Sequence, residues 1–461
     1  MRKFLHTGLG CFLLAIGSLC QAQVHEFLLD NGLKILVKED HRAPIVVSQV
    51  WYKVGSSYEH DGITGISHAL EHMMFKGTEK YPNGEFSRII SANGGQENAF
   101  TGTDYTAYFQ TLEKSRLEIS LRLEADRMRH LTLPEEEYLK EIKVVQEERR
   151  MRTEDNPGAF TREVAMATAF QTSPYRQPIV GWMADLESMQ VDDLKHWYQK
   201  WYAPNNATLV IAGDVDPDNV YRLAKKYFAG FAAENIESPP AGKEVEQLGV
   251  KRVLVKRSAE VAQLMMAYKI PVLKTFLQEE GADTWEPYAL EVLAGVLEGG
   301  GSARFASRLV RGKEVASGVG AGYPLTSRLN SIFSISGTPA RGKSVEELEQ
   351  AIREELRELQ VNPISDKELE RVKAQVVSSD VYEKDSVFYQ AMILGILETV
   401  GLSWQLVDEY VDRVQSVTAA QVQEVAKKYF VDDHLTVAVL EPQPFDREAG
   451  RPVSGGNPHA R

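Results

Sequence analysis

Two histidines and a glutamate are closely spaced in a segment that is otherwise apolar. His68, Glu71 and His72 lie within the stretch GISHALEHMMFKGTEKY, residues 65–81, which predicts a buried helix. On a helix, positions i and i+4 share a face, so the two imidazoles can reach one metal ion with the glutamate beside them. The alternative is a helix whose core histidines are hydrogen-bonded, because burying such groups without partners is costly.

A glutamate further along the chain is the candidate third ligand. The pattern H-x-x-E-H is the inverted form of a zinc protease signature, and a catalytic zinc takes three protein ligands and a water. The segment PEEEYLKEIKVVQEERRMRTEDNP, which starts at Pro134, predicts a helix and contains the adjacent Glu147 and Glu148. One stripe of this helix is expected to face the core, and its members are Glu141, Val144, Val145 and Glu148.

Helical geometry separates the two adjacent glutamates. Glu147 shares a face with Lys140 and Lys143, so we expect Glu147 to be solvated and to pair with Lys143. Glu148 is expected to face the histidines, and Glu141 to orient a ligand without binding the ion itself. The sequence therefore predicts one zinc ion per chain, held by three side chains: His68, His72 and Glu148.

These motifs resemble those of the pitrilysin/insulinase metallopeptidase family, which includes mitochondrial processing peptidase. In that family a metal-binding glutamate follows H-x-x-E-H, and here Glu148 lies 76 residues after His72. A further family glutamate, one heptad before the ligand, matches Glu141. The resemblance spans both halves of the chain, because family members are built from duplicated domains of about this size.

The resemblance implies a zinc-dependent endopeptidase. Zinc lowers the pKa of its bound water and polarises the scissile carbonyl, and Glu71 is expected to act as the general base. The competing class is a non-catalytic peptide-binding or scaffold subunit, since the family includes degenerate members that keep the fold and lose the site. The presence of His68, Glu71, His72 and Glu148 favours the enzyme.

The resemblance also implies a strand that binds substrate. It assigns GGQENAFTGTDYTAYF, residues 94–109, to an edge strand on which Asn98, Ala99 and Phe100 line the substrate beside the zinc. An exposed edge can take up an extended peptide through main-chain hydrogen bonds. Peptides or unfolded protein segments are therefore the expected substrates. The alternative is an ordinary sheet strand with Phe100 in the core.

One departure from the family suggests a partner. Its self-sufficient members carry an arginine and, seven residues later, a tyrosine after a glycine-rich turn. Here Arg311 is present, but the residue seven positions later is Gly318. If the alignment contains a one-residue gap, the matching residue is Ser317, and the nearest tyrosine is Tyr323. We therefore expect a homologous partner subunit to supply the Arg/Tyr function. The alternative is that Tyr323 or another donor serves within the same chain, or within a homodimer.

The elements around these residues occur twice. VDDLKHWYQKWYAPNNATLVIAGDV, from Val191, and AAQVQEVAKKYFVDDHLTVAVLEP, from Ala419, both predict a helix, a turn and a strand. Three matched pairs are each 228 residues apart: Leu194 and Val422, Tyr202 and Phe430, and Thr208 and Thr436. The sequence thus predicts two homologous α+β domains, each with a mostly antiparallel sheet packed against helices.

The domain boundaries follow from composition. The zinc-bearing peptidase domain is predicted at 23–236 and the second domain, without a metal site, at 249–445. A linker at 237–248 contains Pro239, Pro240 and Gly242. The last residues, 446–461, lack periodicity and are expected to form a loose tail.

The first 22 residues predict export. They combine Arg2 and Lys3 with a short apolar run and the small residues Cys20 and Ala22, which is typical of a signal peptide cleaved after Ala22. Both cysteines of the chain fall in this segment, so the mature chain offers no thiol ligands. We expect a periplasmic protein. The formal net charge of −13 argues against nucleic acid, and no later apolar run predicts a membrane span.

Overall fold

The computed structural model describes residues 23–237, 243–278 and 284–444. Within these ranges the chain forms two halves, each with one mostly antiparallel sheet packed against helices, so the predicted α+β class is confirmed. The predicted signal peptide, 1–22, and tail, 446–461, lie outside the described residues, as does part of the predicted linker. The domain boundaries themselves stay predictions.

The first half contains a six-stranded sheet in the order β1-β2-β6-β3-β5-β4. Within this sheet β2 and β6 run parallel, and every other neighbouring pair is antiparallel. Its strands are β1 (Val24–Leu28), β2 (Lys34–Glu39), β3 (Ile45–Tyr52), β4 (Gln96–Thr101), β5 (Thr106–Glu113) and β6 (Ala207–Gly213). The strand β4 lies at the edge of the sheet, as the family resemblance implies.

Helices of the first half connect these strands. They are α1 (Ile66–Met73), α2 (Glu85–Ala92), α3 (Leu117–His130), α4 (Glu135–Arg149), α5 (Pro157–Ala169), α6 (Met183–Ser188), α7 (Val191–Trp201) and α8 (Pro217–Phe228). The helix α1 packs against α4 and α7, which brings the predicted metal-binding segments together.

The second half contains a five-stranded sheet in the order β7-β11-β8-β10-β9, and β7 and β11 are its parallel pair. Its strands are β7 (Lys251–Ser258), β8 (Gln263–Ile270), β9 (Ala316–Gly322), β10 (Ser331–Pro339) and β11 (Leu435–Gln443). Its helices are α9 (Leu273–Gln278), α10 (Trp285–Leu297), α11 (Val345–Val361), α12 (Asp366–Lys384), α13 (Val387–Thr399), α14 (Leu406–Ser416) and α15 (Ala419–Tyr429). No helix in the described ranges is long and apolar enough to cross a membrane.

The duplication is visible in the element bounds. The helices α7 and α15 begin at residues 191 and 419, and the strands β6 and β11 begin at residues 207 and 435, a difference of 228 in each case. The matched helices also have similar neighbours, because α7 packs against α1 and α15 packs against α10. The two halves therefore repeat one architecture.

One helix of each half packs against the sheet of the other half. The helix α13 packs against β3 and β6, whereas α5 packs against β7, β8 and β11. Close approach of α13 requires a glycine, because a Cβ on Gly395 would lie 2.1 Å from the indole of Trp51. Both faces of the first sheet are thus covered, which explains why every residue of β6 is buried.

Candidate metal centre

A buried carboxyl group holds the start of the helix that carries the two histidines. Glu59, only 6% exposed, accepts hydrogen bonds from the backbone N–H groups of Gly65 at 2.6 Å and Ser67 at 2.9 Å. Burial raises the pKa of Glu59 to about 7, although both hydrogen bonds oppose the shift. Gly65 has a φ of 86°, and a Cβ there would lie 2.3 Å from the carbonyl oxygen of Val180. The first turn of α1 is thereby fixed directly before His68.

Two imidazoles and one carboxylate converge between α1 and α4. The Nε2 atoms of His72 and His68 lie 3.3 Å and 3.7 Å from Oε2 of Glu148. One candidate ligand atom from each residue lies within 4.8 Å of the other two. No further group of three or more His, Cys, Asp or Glu side chains meets this condition in the parts of the chain that the structure describes. The structure thus brings together the three residues that the sequence predicts as zinc ligands.

Burial and hydrogen bonding shift the pKa values of all three side chains. Burial, with the neighbouring His72, lowers the pKa of His68 to about 4. Burial alone would lower the pKa of His72, but hydrogen bonds to Glu141 and Glu148 raise it to about 9. Burial likewise opposes ionisation of Glu148, yet the hydrogen bond with His72 and the attraction of His68 lower its pKa to about 2. The metal-free site therefore holds a proton on His72, facing an ionised carboxylate.

Glu141 contacts the other nitrogen of the same ring. Its Oε2 lies 3.3 Å from Nδ1 of His72, and its Oε1 lies 2.5 Å from Nζ of Lys76. The hydrogen bond from His72 lowers the pKa of Glu141. A carboxylate bound to the second nitrogen of a histidine fixes the ring orientation and raises its basicity. This contact directs Nε2 of His72 towards Glu148.

Glu71 lies beside the cluster and is tied to the edge strand. Thr101, on β4, donates a hydrogen bond to Oε2 of Glu71. Burial raises the pKa of Glu71, and the hydrogen bond from Thr101 opposes that shift. The glutamate is therefore a carboxyl group with increased proton affinity, held between the histidine helix and β4.

The stripe on α4 differs from the sequence prediction at one position. Val145 is fully buried, as expected, but Val144 is 48% exposed, so the prediction that Val144 faces the core is wrong. At 100° per residue, the two valines flank the line through Glu141 and Glu148 on opposite sides, and only the side of Val145 is buried. Glu147 is exposed as expected, but it pairs with Arg150 at 2.9 Å and not with Lys143, which corrects the predicted partner.

The predicted substrate residues lie on both faces of β4. Asn98 is exposed, and its Oδ1 accepts the N–H of Ala99 at 2.9 Å. Ala99 packs partly against the hydrophobic core of the first half. Phe100 packs on the opposite face of the sheet, with its ring centroid 5.3 Å from that of Trp51. Among the described residues β4 pairs only with β5, so its outer backbone edge is open.

The residues at the predicted Arg/Tyr positions belong to the second half. Arg311 is exposed and donates to the carbonyl of Gly301. Ser317 lies on β9, where its hydroxyl donates to the carbonyl of Thr338 at 3.2 Å. Tyr323 packs against the hydrophobic core of the second half, and its hydroxyl donates to the carbonyl of Pro271 at 3.0 Å. The Tyr323 hydroxyl is therefore engaged within the second half, which argues against its use as an oxyanion donor in the same chain.

The sequence analysis does not identify several residues that contact the site. Arg152 pairs with Oε1 of Glu148, and its i+4 spacing is an available signal, although the spacing is common among surface helices. Thr101 contacts Glu71 from an element distant in sequence, and Glu59 reaches Gly65 and Ser67 across an irregular loop, so helix or strand periodicity identifies neither residue.

An arginine of the second half also braces the segment before α1. The side chain of Arg328 donates to the Oγ of Ser57 at 2.8 Å and lies 4.2 Å from the ring centroid of Tyr58. It also pairs with Asp104, just after β4, at 3.3 Å. Tyr175 donates to the same Asp104 carboxylate. The second half thus helps to hold the loops around the histidine helix.

The donor set fits a zinc ion. Imidazole nitrogens and a carboxylate oxygen are usual zinc ligands. Nε2 of His68 lies 3.7 Å from the Glu148 carboxylate, and the lowered pKa of His68 keeps its ring neutral near pH 7. A neutral ring has a lone pair for a metal ion, and a divalent cation between these atoms would bind both groups.

The fold and the site are similar to those of the insulinase-type peptidase family. The family model "Insulinase (Peptidase family M16)" matches residues 34–181, and the model "Peptidase M16 inactive domain" matches residues 188–376. The chain belongs to the M16 peptidase family, which confirms the resemblance. The histidines, Glu71 and Glu148 all fall within the first of these matches.

Individual relatives cover nearly the whole chain. It is 31% identical over 444 residues to the zinc protease PqqE of Helicobacter pylori, which spans 93% of this chain and 96% of that protein. A crystal structure of a protease from Helicobacter pylori aligns with a TM-score of 0.86 at 28% identity, covering 91% of this chain and all of that one. A probable mitochondrial-processing peptidase subunit beta of Arabidopsis thaliana is 26% identical, over 90% of this chain and 77% of that protein.

Proposed function

We propose that this chain is a zinc metalloendopeptidase that cleaves peptides or unfolded protein segments. The observation that carries the proposal is the convergence of one ligand atom each from His68, His72 and Glu148 within 4.8 Å. Glu71 lies beside them, hydrogen-bonded to the open edge strand through Thr101. A general base, a metal-ligand set and a peptide-binding edge are the parts that metal-assisted peptide hydrolysis requires.

The chain's own residues divide the chemistry. His68, His72 and Glu148 would hold one zinc ion, which when bound supplies a Lewis acid that activates water and polarises a carbonyl. Glu71 accepts a proton from the attacking water and delivers it to the leaving amine, and its increased proton affinity suits both steps. Glu141 keeps the ring of His72 in the orientation that presents Nε2.

The edge strand determines which substrates fit. An extended peptide can add to β4 through main-chain hydrogen bonds, and a folded domain offers no such segment. Asn98, Ala99 and Phe100 would contact the peptide along this edge. Because β4 also carries Thr101, a peptide bound there is adjacent to the base.

The peptidase assay tests this assignment. Cleavage of an unstructured peptide by the purified chain should disappear when zinc is removed with a chelator and should return when zinc is added back. A chain that binds peptide but cleaves none, with or without a partner subunit, would favour the non-catalytic scaffold function. That alternative has some support in the "inactive domain" match, but this match covers residues 188–376 and not the zinc site.

We also propose that a homologous partner subunit completes the site. The support is the lack of a tyrosine at positions 317 and 318 and the engagement of Tyr323 within the second half. One relative is named as a subunit of a processing peptidase. An oxyanion donor is worth on the order of 100-fold in rate. Co-expression with a candidate partner should therefore raise turnover by about that factor, and full activity from the isolated chain would refute the partner and favour the same chain or a homodimer.

We propose that the protein is exported to the periplasm. It depends on the predicted signal peptide at residues 1–22. The mature protein recovered from a periplasmic fraction should begin at Gln23, the residue after Ala22. Recovery of chains that retain Met1 from the cytoplasm alone would contradict this proposal.

A further inference from the structure

The second half contains a counterpart of the metal centre with different chemistry. The sequence HALEH at 68–72 corresponds to YALEV at 288–292, on α10. The helix α10 packs against α12 and α15, as α1 packs against α4 and α7. Tyr288 and Val292 thus align with the two histidines, and Glu291 aligns with Glu71.

The third ligand is also replaced. Aligning LPEEEYLKEIKVVQEE at 133–148 with ISDKELERVKAQVVSS at 364–379 places Ser379 at the position of Glu148. No metal-binding group of three His, Cys, Asp or Glu side chains occurs here among the described residues. A cavity of about 520 Å³ lies at this point and is lined by residues of α10, α12, α13 and α14.

Only one of the two carboxyl oxygens of Glu291 has a hydrogen-bond partner among the described residues. Its Oε1 accepts a hydrogen bond from the hydroxyl of Tyr410 at 2.7 Å. Its Oε2 is shielded from solvent and accepts no hydrogen bond from the described residues, although the side chain as a whole keeps some exposed surface because it lines the cavity. Burial raises the pKa of Glu291 to about 7. An unpaired acceptor in such a position favours a ligand that donates a hydrogen bond.

The cavity walls are aromatic, apolar and acidic. Besides Glu291, three carboxylate side chains line it: Glu298, Asp380 and Glu383. Lys384 is the one basic side chain among the described lining residues, and it already pairs with Asp380 at 2.9 Å. Tyrosine rings and aliphatic side chains form most of the remaining surface, including Tyr288, Tyr389, Val376 and Leu406. Aromatic faces and carboxylates both attract cations, and the aliphatic groups suit a hydrocarbon body.

We propose that this cavity binds a small organic cation, a primary ammonium on an apolar body. The ammonium group donates to Oε2 of Glu291, and the hydrocarbon part packs against the aliphatic and tyrosine walls. A cation balances the excess of carboxylates, since Lys384 is already paired. The degenerate half therefore keeps its glutamate for ligand binding, in a site separate from the zinc centre.

Calorimetric titration of the full chain tests this proposal without using peptidase activity, so its failure is independent of the proposed function. Hexylammonium should bind saturably at neutral pH, and 1-hexanol, which has the same hydrocarbon body without the charge, should bind at least about tenfold more weakly. Equal binding of the two probes, or no binding of hexylammonium up to about 10 mM, would overturn the proposal.

Three variants localise the binding. Glu291→Gln should weaken hexylammonium binding about tenfold or more, because the amide carries no charge. Glu370→Gln makes the same change on an exposed part of α12 outside the cavity and should leave binding unchanged. Ser379→Phe should abolish binding by filling the exposed side of the cavity while leaving Glu291 intact. Wild-type binding in both Glu291→Gln and Ser379→Phe would overturn the proposal.

Discussion

The buried carboxyl group of Glu59 should give the protein a measurable pH dependence of stability. Glu59 is 6% exposed and holds the first turn of α1 through the N–H groups of Gly65 and Ser67. Burial raises its pKa from 4.5 to about 7. A carboxyl group with a raised pKa binds its proton more tightly in the folded state. Its contribution to stability is therefore complete below pH 4.5 and is lost as pH rises through about 7.

The magnitude follows from the size of the shift. At about 1.4 kcal/mol per pKa unit, a change from 4.5 to about 7 corresponds to about 3 kcal/mol of unfolding free energy. Glu59→Gln has no such proton to lose. The stability of the wild type relative to this variant should therefore fall by about 3 kcal/mol between about pH 4.5 and pH 8.

Urea unfolding at a series of pH values measures this difference. Both proteins are studied with a chelator present, so that zinc binding does not contribute to the pH dependence. Glu370→Gln, an exposed carboxylate on α12, serves as the control and should follow the wild type at every pH. A difference that stays constant with pH, or a wild type that gains stability relative to Glu59→Gln as pH rises, would contradict the raised pKa of Glu59. The first result would mean that the N–H groups and the helix N-terminus offset burial, and the second that they outweigh it.

Three further predictions concern other contacts. Glu148→Gln should lower zinc content well below one ion per chain while Glu147→Gln, which changes an exposed neighbour, retains it; the reverse pattern would assign the ligand to Glu147. Glu141→Gln should reduce peptide turnover roughly ten- to hundredfold and zinc content less, and wild-type turnover would show that Glu141 orients nothing. Arg328→Met should lower the unfolding free energy in urea by about 3 kcal/mol, because Asp104 stays buried without its cation. A loss below about 1 kcal/mol would place that pair among weak surface contacts.

Periodicity and spacing are sufficient to predict much of the fold and the site. The i, i+4 spacing of His68 and His72 places both rings on one helix face, and the stripe on α4 selects Glu148 over Glu147 as the neighbour of those rings. The repeated helix, turn and strand predict two similar halves, because each unit buries the same apolar pattern. These features depend on local geometry, which the sequence encodes directly.

Contacts between distant segments account for most of what the sequence does not predict. Val144 has an apolar side chain at a core spacing, yet it is exposed because neighbouring elements cover only the other side of the stripe. The packing of α13 against the first sheet depends on Gly395 meeting Trp51, a contact across more than three hundred residues that no local pattern indicates. The cap that Glu59 provides likewise becomes visible only when the loop before α1 is folded.

Zinc content and peptide turnover, measured on the same preparations of wild type and Glu71→Gln, test whether this chain is a zinc peptidase with Glu71 as its base. We expect one zinc ion per chain in both proteins, because Glu71 is not among the converging ligand residues. We expect turnover in the wild type, with its partner subunit if one is required, and a loss of at least about 100-fold in the variant, which lacks the base. Equal turnover in the two proteins, or a wild type that binds no zinc, would contradict the proposed function.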